Sequence, residues 1–161
     1  MKYSLISLFL LILYVSDSFA DQKEDIYLLK ETNKVLTKIE NTALKDRNKI
    51  DKLIISGFSS KDMSPSAVDK RGLALEKLVT NITNTLKSSM DITVPDIENK
   101  AAKEYITKAI DAHKHWAAAQ QGRLAALLQF NSEDMEKFND ESDHYALIEG
   151  SLLVLADESV K

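Results

Sequence analysis

The sequence predicts an all-α protein, an antiparallel up-down four-helix bundle following a cleaved signal peptide. Three observations carry this reading. Only four glycines and two prolines occur in 161 residues, while Leu, Ala, Lys, Glu and Asp abound and β-branched alternation is scarce, a composition that favours helix. Apolar residues recur at helical spacing in four segments. Capping residues and prolines punctuate the segments. Each amphipathic stripe needs a neighbour to cover it, and four stripes joined by short loops are covered most simply in a bundle.

The first twenty residues read as an export signal. Met1 and Lys2 lead into an apolar run from Leu8 to Val15, and the small residues Ser18 and Ala20 suit a cleavage site. The run is shorter than the roughly 18 to 20 residues a bilayer span requires. Residues 1–20 are therefore expected to be a signal peptide and 21–161 a single helical-bundle domain, periplasmic or secreted. No later stretch approaches bilayer length, so no transmembrane segment is expected in the mature chain. Its leader holds one base, Lys2, and one acid, Asp17, so removal leaves the net charge at -4.

Helices are expected over residues 22–57, 65–91, 95–130 and 132–158. In the first, Ile26, Leu29, Leu36, Ile39, Ala43, Ile50, Leu53 and Ile54 form the stripe. Between Glu40 and Lys49 only Ala43 and Leu44 are apolar, which predicts a kink or break there, and Gly57 reads as the end. Ser64-Pro65 marks the second start, an N-cap followed by proline at the first helical position. Val68, Leu75, Leu78, Val79, Ile82, Leu86 and Met90 give it a core face.

Val94-Pro95-Asp96 reads as the third start, with an acid in the positive first turn. Ala102, Tyr105, Ala109, Ala112, Trp116, Gln120 and Leu127 follow at helical spacing, and Ala118, Gly122 and Ala126, each four apart, favour close approach of another helix. Asn131 to Asp134 opens the fourth helix with a capping side chain and two carboxylates. Its stripe is Met135, Phe138, Tyr145, Ile148, Leu152 and Leu155.

Charge is sorted by helix. Lys23, Lys30, Lys34, Lys38, Lys45, Lys49 and Lys52 fall on one face of the first helix, opposite its apolar stripe. The fourth helix is acidic, with Lys137 its one interior base. Lysines solvate the outside of many helices, and adjacent first and fourth helices would attract each other. The functional reading is that the stripe meets a protein partner, an anionic envelope surface or the acidic helix of another copy, which would make a homo-oligomer.

Three histidines supply the chemistry the chain offers. Glu141 and His144 have the Glu-x-x-His spacing of carboxylate metal bundles, although no second such pair occurs. Asp111 and His115 read as an exposed pair. His113 shares a face with Trp116, and if the third and fourth helices form a hairpin turning near Asn131, facing position numbers sum to about 262. That register sets His113 near Glu149 and Trp116 near Tyr145 and Ala146. The four residues His113, Trp116, Tyr145 and Glu149 are then either a buried histidine hydrogen-bonded to a carboxylate or a ligand pocket between helices.

Other chemistries find little support. With no cysteine, the chain has no thiol nucleophile, thiolate zinc site or covalent haem attachment. Its mild acidity argues against nucleic-acid binding. There is no Gly-x-Ser-x-Gly and no phosphate-binding glycine loop. The expectation is an exported non-enzymatic protein needing no cofactor, with an inhibitor, immunity-type or chaperone-like role. The alternative is a small-molecule or metal carrier using the layer around His113, Trp116, Tyr145 and Glu149.

Overall fold

The computed structural model describes residues 3–161, with side chains from Asp21 onward except that of Phe58. The described residues form four helices and no strand: α1 (Tyr3–Ser59), α2 (Pro65–Met90), α3 (Lys100–Leu128) and α4 (Ser132–Ser159). The expected signal peptide lies outside the described residues at Met1 and Lys2, and outside the described side chains over the rest of residues 1–20. No described helix is long and apolar enough to cross a membrane.

Local chemistry sets most of the boundaries. The Ser64 hydroxyl accepts from the Ala67 amide, and Pro65 follows at the first helical position. Asn131 caps α4 by accepting from the Asp134 amide at 3.2 Å, and Glu133 and Asp134 sit in its first turn. Between α3 and α4, Phe130 takes a left-handed conformation with φ 54°. The Asn131 amide then donates back to the Ala126 carbonyl at 2.9 Å, closing the end of α3.

Three expectations about the helices are corrected. First, α1 is continuous through residues 40–49, because polar residues of that stretch face inward and meet partners there. Second, Gly57 does not end α1, which runs on to Ser59. Third, α3 begins at Lys100 rather than at Pro95. Asp25, buried on α1, accepts the backbone N–H groups of Glu98 and Asn99, both at 2.9 Å. The Asn99 side chain then caps the helix through the Ala102 amide at 3.0 Å. A carboxylate from a distant helix has taken the donors that a start at Pro95 would have used locally.

The same junction ties three helices together. Asn99 Nδ2 donates to the Ser159 carbonyl at 2.8 Å, and Gln22 Nε2 donates to the Val160 carbonyl at 2.7 Å. Further along, contacts run in opposite order on α3 and α4: His113 reaches Glu149 and Gln120 reaches Ser142. α3 packs closely on α4, and Ala109, Ala112, Ala119 and Ala126 of α3 are buried. A Cβ on Gly122 would lie 2.5 Å from the Phe138 ring, so this glycine is where the ring seats.

The core divides in two along the bundle. One cluster joins Leu29, Ile97, Ile106, Ile110, Ala156 and Val160. The other joins Ala43, Ile50, Ile82, Leu86, Trp116 and Leu124. On α3 the first cluster ends at Ile110 and the second begins at Trp116. His113 stands between them. At the margins, Val68, Met90 and Leu155 are exposed rather than core.

Candidate metal centre

The residues at the break in the core are polar and buried. His113 is fully buried, projecting from the middle of α3. Its Nδ1 lies 3.0 Å from Glu149 Oε2 on α4 and 3.9 Å from Glu40 Oε1 on α1. Three helices each contribute one side chain, and the three nearest ligand atoms lie within 4.8 Å of one another. The indole of Trp116, one helical turn along, stacks on the imidazole with ring centroids 5.3 Å apart and holds its plane.

The electrostatics of this layer are unbalanced. Two carboxylates face one imidazole nitrogen. Burial, reinforced by the Glu149 carboxylate and a hydrogen bond to it, pushes the Glu40 carboxyl up to about 7, with His113 pulling the other way. The layer favours one added positive charge, a proton or a cation. His113 Nε2, on the far side of the ring, is buried without a hydrogen-bond partner.

The spacing suits a metal ion. An ion bound at about 2.1 Å by nitrogen and oxygen sets adjacent ligands about 3.0 Å apart in octahedral geometry and about 3.4 Å in tetrahedral geometry. The observed 3.0 Å to Glu149 falls in that range, and the 3.9 Å to Glu40 exceeds it, so Glu40 closes the set by moving about 0.5 to 0.9 Å. Glu40 and Glu149 also line a groove of about 540 Å³ between α1 and α4. The groove exists because α4 packs chiefly on α3 and α1 chiefly on α2, leaving the α1 and α4 faces apart. Solvent reaches the half-buried Glu40 from this side, while Glu149 lies buried behind it.

The structure separates the other residues singled out by sequence. Tyr145 is half-buried, packed against the Trp116 cluster and stacked on His115 with ring centroids 4.8 Å apart. Glu141 and His144 are exposed and do not join the ligand cluster; His144 lies edge-on to Tyr145 at 5.5 Å. Asp111 and His115 form an exposed pair at 3.8 Å. All seven lysines of the α1 stripe are exposed. Lys34 pairs with Glu31 and Lys49 with Asp46.

Glu40 is the residue that sequence reasoning missed. The signal was present: it lies four residues after Leu36 and three before Ala43, on the core stripe itself. A carboxylate at a core position of an amphipathic helix needs a partner there. No family model matches the chain, and no curated protein or solved structure matches it.

Proposed function

We propose that this chain is an exported, non-enzymatic antiparallel four-helix bundle that binds and releases a divalent transition-metal ion. Its ligands are Glu40, His113 and Glu149. The single observation that supports this reading is the convergence of three ligand atoms from three helices, within 4.8 Å, at the side of an open groove. One imidazole and two carboxylates suit ions that take mixed nitrogen and oxygen ligands, such as Zn²⁺, Mn²⁺ or Fe²⁺. Three protein ligands leave at least one coordination position for water or cargo, and the groove gives it a route of exchange.

Calorimetric titration of Zn²⁺ and of Mn²⁺ into chelator-stripped protein tests the proposal. One ion per chain should bind, with saturation lost in His113→Ala and Glu149→Gln and kept in Glu141→Gln and His144→Gln. Absence of saturable binding below roughly 100 µM for either ion, or binding that follows Glu141 and His144 instead, overturns it.

A second reading is favoured by the α1 surface. Lys23, Lys30, Lys38, Lys45 and Lys52 are exposed and have no ion pair among the described residues. A one-sided cationic face of this kind suits an acidic protein or an anionic envelope surface, with peripheral contact that weakens in salt.

A further inference from the structure

The edge of the bundle between α1 and α4 is left open, and its two sides carry opposite charge. Gln22 meets Val160 at one end of this edge, and Glu40 shares a layer with Glu149 further along, so residue order on α4 is the reverse of that on α1. Lys30 stands on the α1 rim of the groove and Glu158 on the α4 rim. From Lys30 the successive intervals to Lys45 and Lys52 are fifteen and seven residues, and from Glu158 back to Asp143 and Glu136 they are the same. Lys45 therefore stands level with Asp143, and Lys52 with Glu136. On both helices these residues lie within about 60° of the rim residue. All six are exposed, and none has an ion pair among the described residues.

Between its charges the α4 side is apolar. Leu147 is 74% exposed and Val154 58%, and a Cβ added to Gly150 would meet nothing within 4 Å. On the same register Lys34 and Lys38 of α1 stand level with Val154 and Gly150, and lysine stems cover apolar surface while their ammonium groups stay in water.

We propose that this edge binds a second copy of the chain about a two-fold axis parallel to the helices. An isologous interface requires a self-complementary patch, and an edge that is basic on one side and acidic on the other is one. Rotation about that axis exchanges the two sides and keeps the heights. Lys30, Lys45 and Lys52 of each copy then meet Glu158, Asp143 and Glu136 of the other, and the two grooves face each other. An axis running across the helices would instead set lysines on lysines. The strip from Glu136 to Glu158 is about 33 Å long at the helical rise and two helices, roughly 20 Å, wide, which gives on the order of 1,300 Å² over both copies, enough for a specific dimer of modest strength. The dimer rests on the lysine face being a contact surface and supplies its partner; it uses none of the three metal ligands.

Sedimentation velocity over about 1 to 100 µM protein tests the pairing. In about 0.02 M salt the protein should pass from monomer to dimer across that range, and about 0.5 M salt should return it to monomer. Lys30→Glu, Lys45→Glu and Lys52→Glu together should leave it monomeric with unchanged circular dichroism, as should Glu136→Lys, Asp143→Lys and Glu158→Lys together. Mixed in equal amounts, the two triple variants should associate as a heterodimer, because each then offers the charge the other lacks. If a triple variant does not fold, the exposed change Leu147→Glu serves in its place and should dissociate the dimer. A parent that stays monomeric at about 100 µM in low salt, or a dimer that survives either charge reversal, overturns the proposal. A monomeric parent that still binds vesicles of anionic phosphatidylglycerol would overturn the dimer while leaving the lysine face a contact surface of another kind.

Discussion

Replacing Glu40 by glutamine should strengthen the metal-free protein while weakening its hold on metal. In the folded chain the Glu40 carboxyl titrates near 7, against 4.5 as an ordinary glutamate. Below about 4.5 the group is protonated whether folded or not. As pH rises toward 7 the unfolded chain releases this proton first, so the stability associated with Glu40 falls across that window and stays low above it. Each tenfold change in an ionisation constant is worth ~1.4 kcal/mol, which sets an upper bound of ~3.5 kcal/mol. Glu40 lines an open groove and its side chain is 26% exposed, so screening reduces this to roughly 1.5 kcal/mol.

Urea unfolding in the presence of chelator at pH 5 and pH 8, followed by Trp116 fluorescence, measures the effect. Trp116 is the chain's one tryptophan, and it is buried against His113. Glu40→Gln should be more stable than the parent at pH 8 by about 1 to 1.5 kcal/mol, and nearly equal to it at pH 5. With saturating Zn²⁺ the order should reverse, because the parent alone keeps all three ligands and gains binding energy in its folded state. A variant that is no more stable than the parent at pH 8, with the parent's pH slope intact, would refute the electrostatic reasoning.

Four further outcomes are expected. Asp25→Ala should cost about 3 kcal/mol in thermal or urea unfolding, since two charge-assisted bonds to the Glu98 and Asn99 amides disappear; a cost below about 0.5 kcal/mol would show that α3 starts without them. Gly72→Ala should stabilise by about 1 kcal/mol, because nothing lies within 4 Å of its new Cβ in α2. Gly122→Ala should destabilise by about 1 to 2 kcal/mol by displacing the Phe138 ring, and equal signs for the two glycines would contradict the packing described. Reversing Lys23, Lys38, Lys45 and Lys52 to Glu should leave the circular dichroism unchanged and abolish binding to vesicles rich in anionic phosphatidylglycerol; parent binding that ignores salt would remove the lysine face from consideration.

Much of the helical layout was legible because it is local. Ser64 with Pro65, and Asn131 with Glu133 and Asp134, satisfy the first amides of α2 and α4 from within a few residues. Apolar spacing located most of the inward faces, and counting back from a turn near Asn131 pointed His113 at Glu149. The errors share a cause. Pro95 looked like a helix start until Asp25, more than seventy positions away, took the Glu98 and Asn99 amides. Glu40 to Lys49 looked like a break because its polar residues were counted as surface, whereas Glu40, Asp46 and Arg47 are wholly or partly buried.

The sequence by itself determined that this chain is helical, where α2 and α4 begin, and which histidine faces the interior, since helix periodicity and capping act over a few residues. Only the tertiary structure decided that Glu40 joins the His113 and Glu149 cluster and that Tyr145 stacks on His115. Those placements depend on the relative rotation and approach of helices distant in sequence. That is fixed by how small residues such as Gly122 let α4 close on α3 while α1 and α4 stay apart, a balance of packing across the whole bundle that no local pattern encodes.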